Sequence, residues 1–299
     1  MKNIVVIGVN FQGEQKKRLE ALGKVTYWPN PSSSDEFLQH TKDANIICSN
    51  GSFLLENLPK LRNVFVTYPY IELGAFDSEE LKNNGVFVAN TQGSNRDSIV
   101  EWVIFMILSL FRKFPSVVRV KDSITLEFQE SLNGKRVLIV GKGCIGTKIG
   151  LTCEAFGMNV DFFKRGDNLS VKSKDADVVI NSLNCNSSSK NLLNEEFFMS
   201  LRKGTYFISF VRLYTYDLNG LNKAIEQGIV AGAAIDCDPE TPGDTSNKFY
   251  QTTLDNPKIL VTPHIAFSTR QAIANGAEFA LQNIEAFAHG TPKNVLTKK

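Results

Sequence analysis

Short apolar runs alternate with amphipathic stretches along the whole chain. Eleven runs of three to five residues, rich in β-branched and aromatic side chains, predict strands at residues 4–7, 25–28, 46–48, 64–67, 86–89, 136–140, 159–163, 178–180, 206–209, 231–235 and 259–261. Patterns with helical spacing lie between them, for example at residues 78–83, 144–156, 195–201 and 217–226. Continuous apolar strands separated by helices are typical of parallel sheets covered on both faces, so the pattern predicts an α/β fold.

Two longer helical patterns, at residues 96–110 and 269–289, stand on either side of the second series of strands. Helices in these places would carry the chain from one sheet to another and back. We therefore predict two doubly wound parallel-sheet domains. Residues 1–95 and 268–299 form a discontinuous first domain, and residues 96–267 form a second domain that is inserted into it.

The composition fits such a globular protein and argues against several other classes. Of the 299 residues, 42% are hydrophobic and 21% are charged, and the net charge is only +2. Because the charge is small and forms no sustained run, neither nucleic acid nor a membrane is expected as a partner. The five cysteines are scattered and form no CxxC pair. This predicts neither a metal site nor disulfides, and it favours a reducing, cytoplasmic setting.

A glycine-rich turn, G-K-G-C-I-G at residues 141–146, follows the apolar run at 136–140. In such a turn the first glycine permits a tight bend, the second lets a diphosphate approach backbone N–H groups, and the third lets the next helix pack on the strand. The positive end of that helix then faces the diphosphate. We therefore predict a dinucleotide-binding Rossmann fold for the inserted domain. The residues expected at the cofactor are Gly141, Gly143, Cys144, Ile145 and Gly146.

Three further segments resemble signatures of the D-isomer-specific 2-hydroxyacid dehydrogenase family, in family order and at family spacing. Residues 90–101 resemble N-T-P-G-x-N-x-x-x-V-A-E, residues 204–217 resemble G-A-x-x-I-N-x-A-R-G-x-x-V-D, and residues 262–266 match T-P-H-x-A. The resemblance covers nearly the whole chain and is closest in kind to glyoxylate/hydroxypyruvate reductases. It implies an enzyme in which the discontinuous domain is flavodoxin-like and binds the substrate, while the inserted domain binds a nicotinamide dinucleotide.

The resemblance also assigns roles to individual residues. His264 takes the place of the general acid–base on the C2 oxygen of a small 2-oxo acid or D-2-hydroxy acid, and Arg212 that of the arginine that holds the substrate carboxylate. Imidazole titrates near neutral pH, and a guanidinium grips a carboxylate through two parallel hydrogen bonds. Asp236 resembles the aspartate beside the nicotinamide carboxamide. In the family, a glutamate raises the pKa of the histidine. When residues are counted without a gap, Thr241 falls in the place of that glutamate, whereas Glu240, one residue earlier, carries the carboxylate that the role needs. Both remain open.

The residues after the run at 159–163 predict that NADP is preferred to NAD. An acidic residue about 20 positions past the glycines normally accepts hydrogen bonds from the ribose hydroxyls of NAD. Here Lys164 stands in that place and Arg165 follows it, and two cations would pair with the 2′-phosphate of NADP. Asp161 comes three residues too early to reach the ribose. Asp167 would bind NAD only if the loop folds back.

The loop at residues 70–74 departs from the family. It carries Tyr70, Ile71 and Glu72 where the family has small residues whose backbone N–H groups bind the substrate carboxylate. Leu213 likewise replaces a family glycine. These departures keep a second hypothesis open, a dinucleotide-sensing binding protein on the same scaffold with little turnover. Formate oxidation is a less favoured alternative.

The segment after the helix predicted at 96–110 carries more apolar side chains than a short connection needs. By analogy with the family, we expect them to contribute to a homodimer built mainly on the inserted domain. They are Val117, Val118, Ile124, Leu126 and Phe128.

Overall fold

Two units, each with its own parallel sheet, make up the protein. The computed structural model describes residues 2–114, 117, 128–237 and 242–297. One unit comprises Met1–Asn95 and Thr269–Lys299, and the other comprises Arg96–Ser268. The first unit is discontinuous in the chain, and the second is inserted into it.

The discontinuous unit is built on a five-stranded sheet. Its strands are β1 (Lys2–Ile7), β2 (Gly23–Trp28), β3 (Ile46–Ser49), β4 (Phe65–Thr67) and β5 (Phe87–Ala89). Its helices are α1 (Gly13–Glu20), α2 (Ser34–Thr41), α3 (Leu54–Asn57), α4 (Ser78–Asn83) and, after the inserted unit, α11 (Arg270–Ala288). The strand order is β2-β1-β3-β4-β5 with parallel neighbours. This is the flavodoxin-like order, and it confirms the predicted fold class of this unit.

Helix α11 covers one face of this sheet. Its glycine at position 276 allows a close approach, since a Cβ there would lie 2.3 Å from the carbonyl oxygen of Pro69. On its other side, Arg18 of α1 donates to Glu278 and Glu285 of α11 at 2.8 Å. Small and branched side chains of α11 pack beneath it in the core: Ala277, Ala280, Leu281 and Ile284.

The inserted unit is built on a six-stranded sheet. Its strands are β6 (Arg136–Val140), β7 (Asn159–Phe163), β8 (Val178–Asn181), β9 (Thr205–Ser209), β10 (Val230–Asp236) and β11 (Ile259–Thr262). Its helices are α5 (Arg96–Phe111), α6 (Cys144–Ala155), α7 (Leu169–Ser173), α8 (Glu195–Met199), α9 (Leu218–Glu226) and α10 (Lys248–Leu254). The strands are parallel in the order β11-β10-β9-β8-β6-β7, a doubly wound, Rossmann-like sheet whose switch point lies between β6 and β8.

Helices cover both faces of the six-stranded sheet. Because successive side chains of a strand point to opposite faces, Val137 and Ile139 of β6 pack with α5 and α6, while Leu138 and Val140 pack with α8 and α9. Both faces are therefore apolar, which explains why these strands are continuous apolar runs. No helix in the described parts of the chain is long and apolar enough to cross a lipid bilayer.

All eleven predicted strands form, with ends that agree to within two residues. The largest differences are at β1 and β2, which begin at Lys2 and Gly23 rather than at Ile4 and Val25. The backbone of Lys2 and Asn3 pairs with β2, and such pairing needs no apolar side chain. The helix predicted at 195–201 ends at Met199. Five shorter helices, α1, α2, α3, α7 and α10, were not among the predicted examples.

Candidate active site

The predicted site residues gather at one edge of the six-stranded sheet, where all its strands have their carboxyl ends. Gly141 follows β6, Lys164 follows β7, Arg212 comes three residues after β9, Asp236 ends β10, and His264 comes two residues after β11. Ligands of open α/β sheets bind at this edge. In the observed strand order, the turns of Arg212 and His264 are two strand spacings apart, roughly 10 Å.

The glycine turn combines two tightly packed positions with one open position. Gly141 has φ +116°, and a Cβ there would lie 2.4 Å from the carbonyl oxygen of Ser182. At Gly146 a Cβ would lie 2.2 Å from the carbonyl oxygen of Gly141. At Gly143, the N-cap of α6, a Cβ would meet none of the described atoms within 4 Å. That open space at a helix N-terminus is what a closely approaching diphosphate requires, so these residues fit a dinucleotide.

The side chains of the same turn leave this space accessible. Cys144, the first residue of α6, is exposed, and Ile145 is half-buried against the core beneath α5 and α6. The Lys142 ammonium lies 4.7 Å from the centre of the Phe162 ring, which places a positive charge over the adjacent strand. The turn therefore presents backbone N–H groups and positive charge to an anion.

The loop after β7 exposes a pair of cations, and two carboxylates near them accept hydrogen bonds. Lys164 and Arg165 are exposed, and the Arg165 guanidinium lies 3.3 Å from the Ser188 hydroxyl. The Asp167 carboxylate accepts the backbone N–H of Lys164 at 2.8 Å. The Asp161 carboxylate accepts from the ammonium of Lys172, on α7, at 2.8 Å. The Asp161 carboxylate thus holds α7, whereas the Asp167 carboxylate lies beside Lys164, because the loop folds back there and the Asp167 N–H donates to the Lys164 carbonyl oxygen at 3.0 Å.

The backbone of Arg212 is held by buried polar groups. The Thr215 N–H and hydroxyl donate to the Arg212 carbonyl oxygen at 3.1 and 3.0 Å. The Asn181 amide in turn donates to the hydroxyls of Thr215 at 2.9 Å and Ser209 at 3.2 Å. Sequence reasoning missed this network. The available signal was the amide at the end of an otherwise wholly apolar strand, because buried polar groups need partners.

The turn that carries His264 is fixed in an unusual conformation. His264 has φ +57°, a value that residues other than glycine seldom adopt, and such outliers persist only where the surroundings hold them. Its N–H donates to the Thr262 carbonyl oxygen at 3.1 Å, and its ring packs edge-on against Phe267 with centroids 5.5 Å apart. The ring is half-buried, and it lies at the ligand-binding edge of the sheet.

Asp236 is the main support of this turn. Its carboxylate accepts hydrogen bonds from the Thr262 hydroxyl at 2.5 Å and from the backbone N–H groups of Ile265 at 2.9 Å and Ala266 at 2.8 Å. Burial raises the pKa of Asp236 above that of an ordinary carboxyl group, although these hydrogen bonds and the nearby His264 oppose the rise. The predicted contact with a nicotinamide carboxamide stays a prediction. The observed contacts make Asp236 a positioning residue for His264.

Both candidates for the histidine-activating position, Glu240 and Thr241, lie outside the described residues. The chain on each side of them is bonded to the His264 turn. The Cys237 N–H donates to the Thr262 carbonyl oxygen at 2.8 Å, and the Gly243 N–H donates to the Pro263 carbonyl oxygen at 2.7 Å. Cys237 and Gly243, which flank the two candidates in the chain, therefore lie beside the His264 turn.

Residues 104–266, more than half of the chain, match the family described as D-isomer specific 2-hydroxyacid dehydrogenase, NAD binding domain. The chain belongs to the D-isomer-specific 2-hydroxyacid dehydrogenase family. This confirms the resemblance found in the sequence. The protein is an oxidoreductase of the nicotinamide-dependent type that acts on 2-hydroxy or 2-oxo acids.

One relative and two solved structures show what this chain is similar to. The D-3-phosphoglycerate dehydrogenase of Bacillus subtilis is 31% identical over 272 residues, which cover 85% of this chain and 51% of that longer protein. The structure of an acyclic imino acid reductase, Bsp5, in complex with NADPH and D-Arg has a TM-score of 0.82 and 17% identity, over 98% of this chain and 99% of that one. The NAD complex of a D-isomer specific 2-hydroxyacid dehydrogenase from Lactobacillus delbrueckii ssp. bulgaricus has a TM-score of 0.80, 17% identity and the same coverage. The two structures show that the fold is shared.

Proposed function

We propose that this family member interconverts a small 2-oxo acid and the corresponding D-2-hydroxy acid, with NADPH preferred to NADH. One observation carries the proposal. The glycine turn, Arg212 and His264 follow β6, β9 and β11 of one sheet, and buried hydrogen bonds hold the turns of Arg212 and His264. Such fixed geometry at the ligand edge of an α/β sheet is what catalysis needs.

Arg212 and His264 divide the chemistry at the substrate between them. The nicotinamide, when bound, supplies or accepts the hydride at C2 of the substrate. Arg212 grips the carboxylate and polarises the C2 carbonyl, because its guanidinium stays charged at all working pH values. His264 donates a proton to the C2 oxygen during reduction and takes one back during oxidation. A carboxylate at Glu240 would pair with the protonated imidazole of His264 during reduction, while Asp236 fixes the turn.

The two units have separate tasks in this proposal. The inserted unit binds the dinucleotide, with the diphosphate held at Gly141, Gly143, Cys144, Ile145 and Gly146. The discontinuous unit supplies the loop after β4, which the resemblance assigns to substrate binding. The five-stranded sheet supports that loop at the carboxyl end of one of its strands, the usual place for a ligand-binding loop.

The preference for NADPH rests on the charges after β7. Lys164 and Arg165 are exposed, and the carboxylates of Asp161 and Asp167 are engaged with Lys172 and the Lys164 backbone. The 2′-phosphate of NADPH would meet two cations, whereas the carboxylate that lies beside Lys164, that of Asp167, is already engaged with the Lys164 N–H. A charge-assisted hydrogen bond contributes ~1.5–3 kcal/mol, which is roughly 10- to 100-fold in affinity.

One experiment tests both parts of the proposal. Loss of the reduced-nicotinamide absorbance is followed with glyoxylate, hydroxypyruvate and pyruvate, first with NADPH and then with NADH. We expect turnover of at least one acid, a kcat/KM at least about tenfold higher with NADPH, and loss of that ratio in the Lys164→Ala, Arg165→Ala double variant. Cofactor binding, read from tryptophan fluorescence, without turnover of any acid would support a binding protein instead. Equal kcat/KM values for the two cofactors would contradict the NADPH preference.

We also propose that the protein is a homodimer through the inserted unit. Helices α5 and α6 lie on the same face of its sheet and expose large apolar side chains, namely Phe105 (54%), Leu151 (58%) and Phe156 (45%). Phe128, from the segment predicted to take part, is 96% exposed. Val117 is half-buried, and the other three predicted residues, Val118, Ile124 and Leu126, lie outside the described residues. Exposed apolar side chains that cluster on one face of a domain often mark interaction sites.

A further inference from the structure

The loop after β8 carries three consecutive serines at residues 187–189, and the second and third have different roles. Ser189 is buried and anchors the loop, since its hydroxyl accepts from the Asn186 N–H at 3.0 Å and donates to the Asn184 carbonyl oxygen at 2.6 Å. Ser188 is exposed, and its N–H and hydroxyl donate to the Asn186 side-chain oxygen at 3.0 and 2.6 Å. The loop therefore presents the Ser188 side chain on a fixed backbone.

The Ser188 hydroxyl contacts the loop after β7, in the same inserted unit. Nη2 of Arg165 lies 3.3 Å from Oγ of Ser188. Because β6 stands between β7 and β8 in the sheet, this contact joins the loops on either side of the glycine turn. In Rossmann-like sheets the cofactor binds at the switch point, and a residue shortly after the second strand reaches the adenosine ribose. The contact therefore lies where the 2′ group of that ribose is expected.

The hydrogen bonds of these two loops leave the charge of Arg165 available to an anion. Among the described residues, the Arg165 guanidinium bonds to the neutral Ser188 hydroxyl rather than to a carboxylate. The Asp167 carboxylate, in contrast, accepts the Lys164 N–H at 2.8 Å and lies 3.8 Å from the Lys172 ammonium. A serine hydroxyl rotates, so it can donate to one partner while it accepts from another. Arg165 and Ser188 together thus offer a cation and a neutral donor, and both suit phosphate oxygens.

We propose that Ser188 is a specificity-determining residue that donates a hydrogen bond to the 2′-phosphate of NADPH beside Arg165, so that loops on both sides of the glycine turn hold this phosphate. This inference deepens the proposed NADPH preference and rests on it. When the hydroxyl turns to the phosphate, the Asn186 side-chain oxygen keeps its bond from the Ser188 N–H. NADH has a neutral hydroxyl in this place and gains less from the same donor, because hydrogen bonds to ionised groups are the stronger ones.

Calorimetric titration with two adenosine fragments tests the role of Ser188 without turnover. Adenosine 2′,5′-bisphosphate carries the phosphate in question, and adenosine 5′-monophosphate lacks it. We expect the wild type to bind the bisphosphate roughly 100-fold more tightly than the monophosphate, and Ser188→Ala to lower this ratio roughly tenfold through weaker binding of the bisphosphate alone. Ser188→Asp should bring the ratio to one or below, because its carboxylate would repel the phosphate and pair with Arg165. Ser187→Ala makes the same change at the exposed neighbouring serine and should keep the wild-type ratio.

The outcomes separate this inference from the cofactor preference on which it rests. If the wild type binds the two fragments equally, the NADPH preference is wrong and this inference is overturned with it. If the wild type favours the bisphosphate, and Arg165→Ala lowers the ratio while Ser188→Ala does not, the preference stands and Ser188 has no part in it. An equal loss in Ser187→Ala would assign the effect to the loop as a whole and overturn the role of Ser188. Unchanged affinity for the monophosphate shows that the cofactor site of a variant is folded.

Discussion

His264 and the groups around it show how a single residue is prepared for proton transfer. The left-handed backbone of His264 is maintained by hydrogen bonds to its neighbours rather than by its own preference, and three of them end on Asp236. A side chain on so fixed a backbone loses little freedom when it meets a substrate. This is the kind of pre-organisation on which general acid–base catalysis depends.

Replacement of His264 by alanine is therefore expected to lower turnover far more than cofactor affinity. Loss of a general acid–base typically costs ~10²–10⁴-fold in rate, while the dinucleotide contacts of the glycine turn remain. The measurement is kcat together with the NADPH dissociation constant. His289→Ala, an exposed histidine at the end of α11, is the matched control and should keep wild-type kcat. A His264→Ala variant with more than half of wild-type kcat would exclude His264 from the mechanism.

The dependence of kcat on pH distinguishes Glu240 from Thr241 as the residue that acts on His264. A carboxylate beside a protonated imidazole raises the pKa of the histidine, so its removal lowers that pKa. Reduction needs a protonated His264, so kcat falls with rising pH once that proton is lost. Glu240→Gln should therefore shift this fall in kcat to lower pH, whereas Thr241→Val should leave it in place. The reverse pattern would assign the role to Thr241.

At the scale of elements, the glycine turn before α6 contains one glycine that close packing requires, Gly146, and one that we expect ligand binding to require, Gly143. Gly146 has no room for a methyl group, because its Cβ position lies 2.2 Å from a backbone oxygen. At Gly143, in contrast, the described residues leave room for a methyl group. Gly146→Ala should therefore lower the free energy of unfolding by about 1–3 kcal/mol. Gly143→Ala should change stability little and weaken NADPH binding, since the methyl group would occupy the space proposed for the diphosphate.

Thermal unfolding and a binding titration on both variants check this contrast. The cofactor site would be misplaced if Gly143→Ala bound NADPH with wild-type affinity. A fully stable Gly146→Ala variant would show that α6 can move away from β6 at little cost.

The elements were largely predictable from the sequence, and the contacts that fix the site were not. Apolar runs separated by helices report burial on both faces, so the strands and the placement of Arg212 and His264 after β9 and β11 followed from the pattern. The bonds from Asp236 to Ile265 and Ala266 join residues 29 and 30 positions apart. Such pairings are decided by tertiary structure, and the Asp236 side chain alone gave no sign of supporting the histidine turn.

At the scale of the whole molecule, the exposed apolar surface of α5 and α6 leads to the prediction of a dimer. Light scattering at micromolar concentration should give twice the 33.2 kDa of one chain. Leu151→Arg, on α6, should dissociate the dimer because it places a charge in an apolar interface. Val171→Arg, at an equally exposed position on α7, should leave it intact. A wild-type mass of one chain would rule out the dimer.

The discontinuity of the first unit bears on how the protein is made. Helix α11 is synthesised only after all of Arg96–Ser268. Until then the apolar side chains of Ile4, Val6 and Phe65 lack the helix that packs against them. The inserted unit is continuous and has the chance to fold first, since domains generally fold as units during synthesis. For the time needed to translate the inserted unit, the nascent N-terminal sheet exposes one apolar face. Chaperone binding and aggregation in cells are therefore expected to concentrate on residues 2–95 rather than on the catalytic turns.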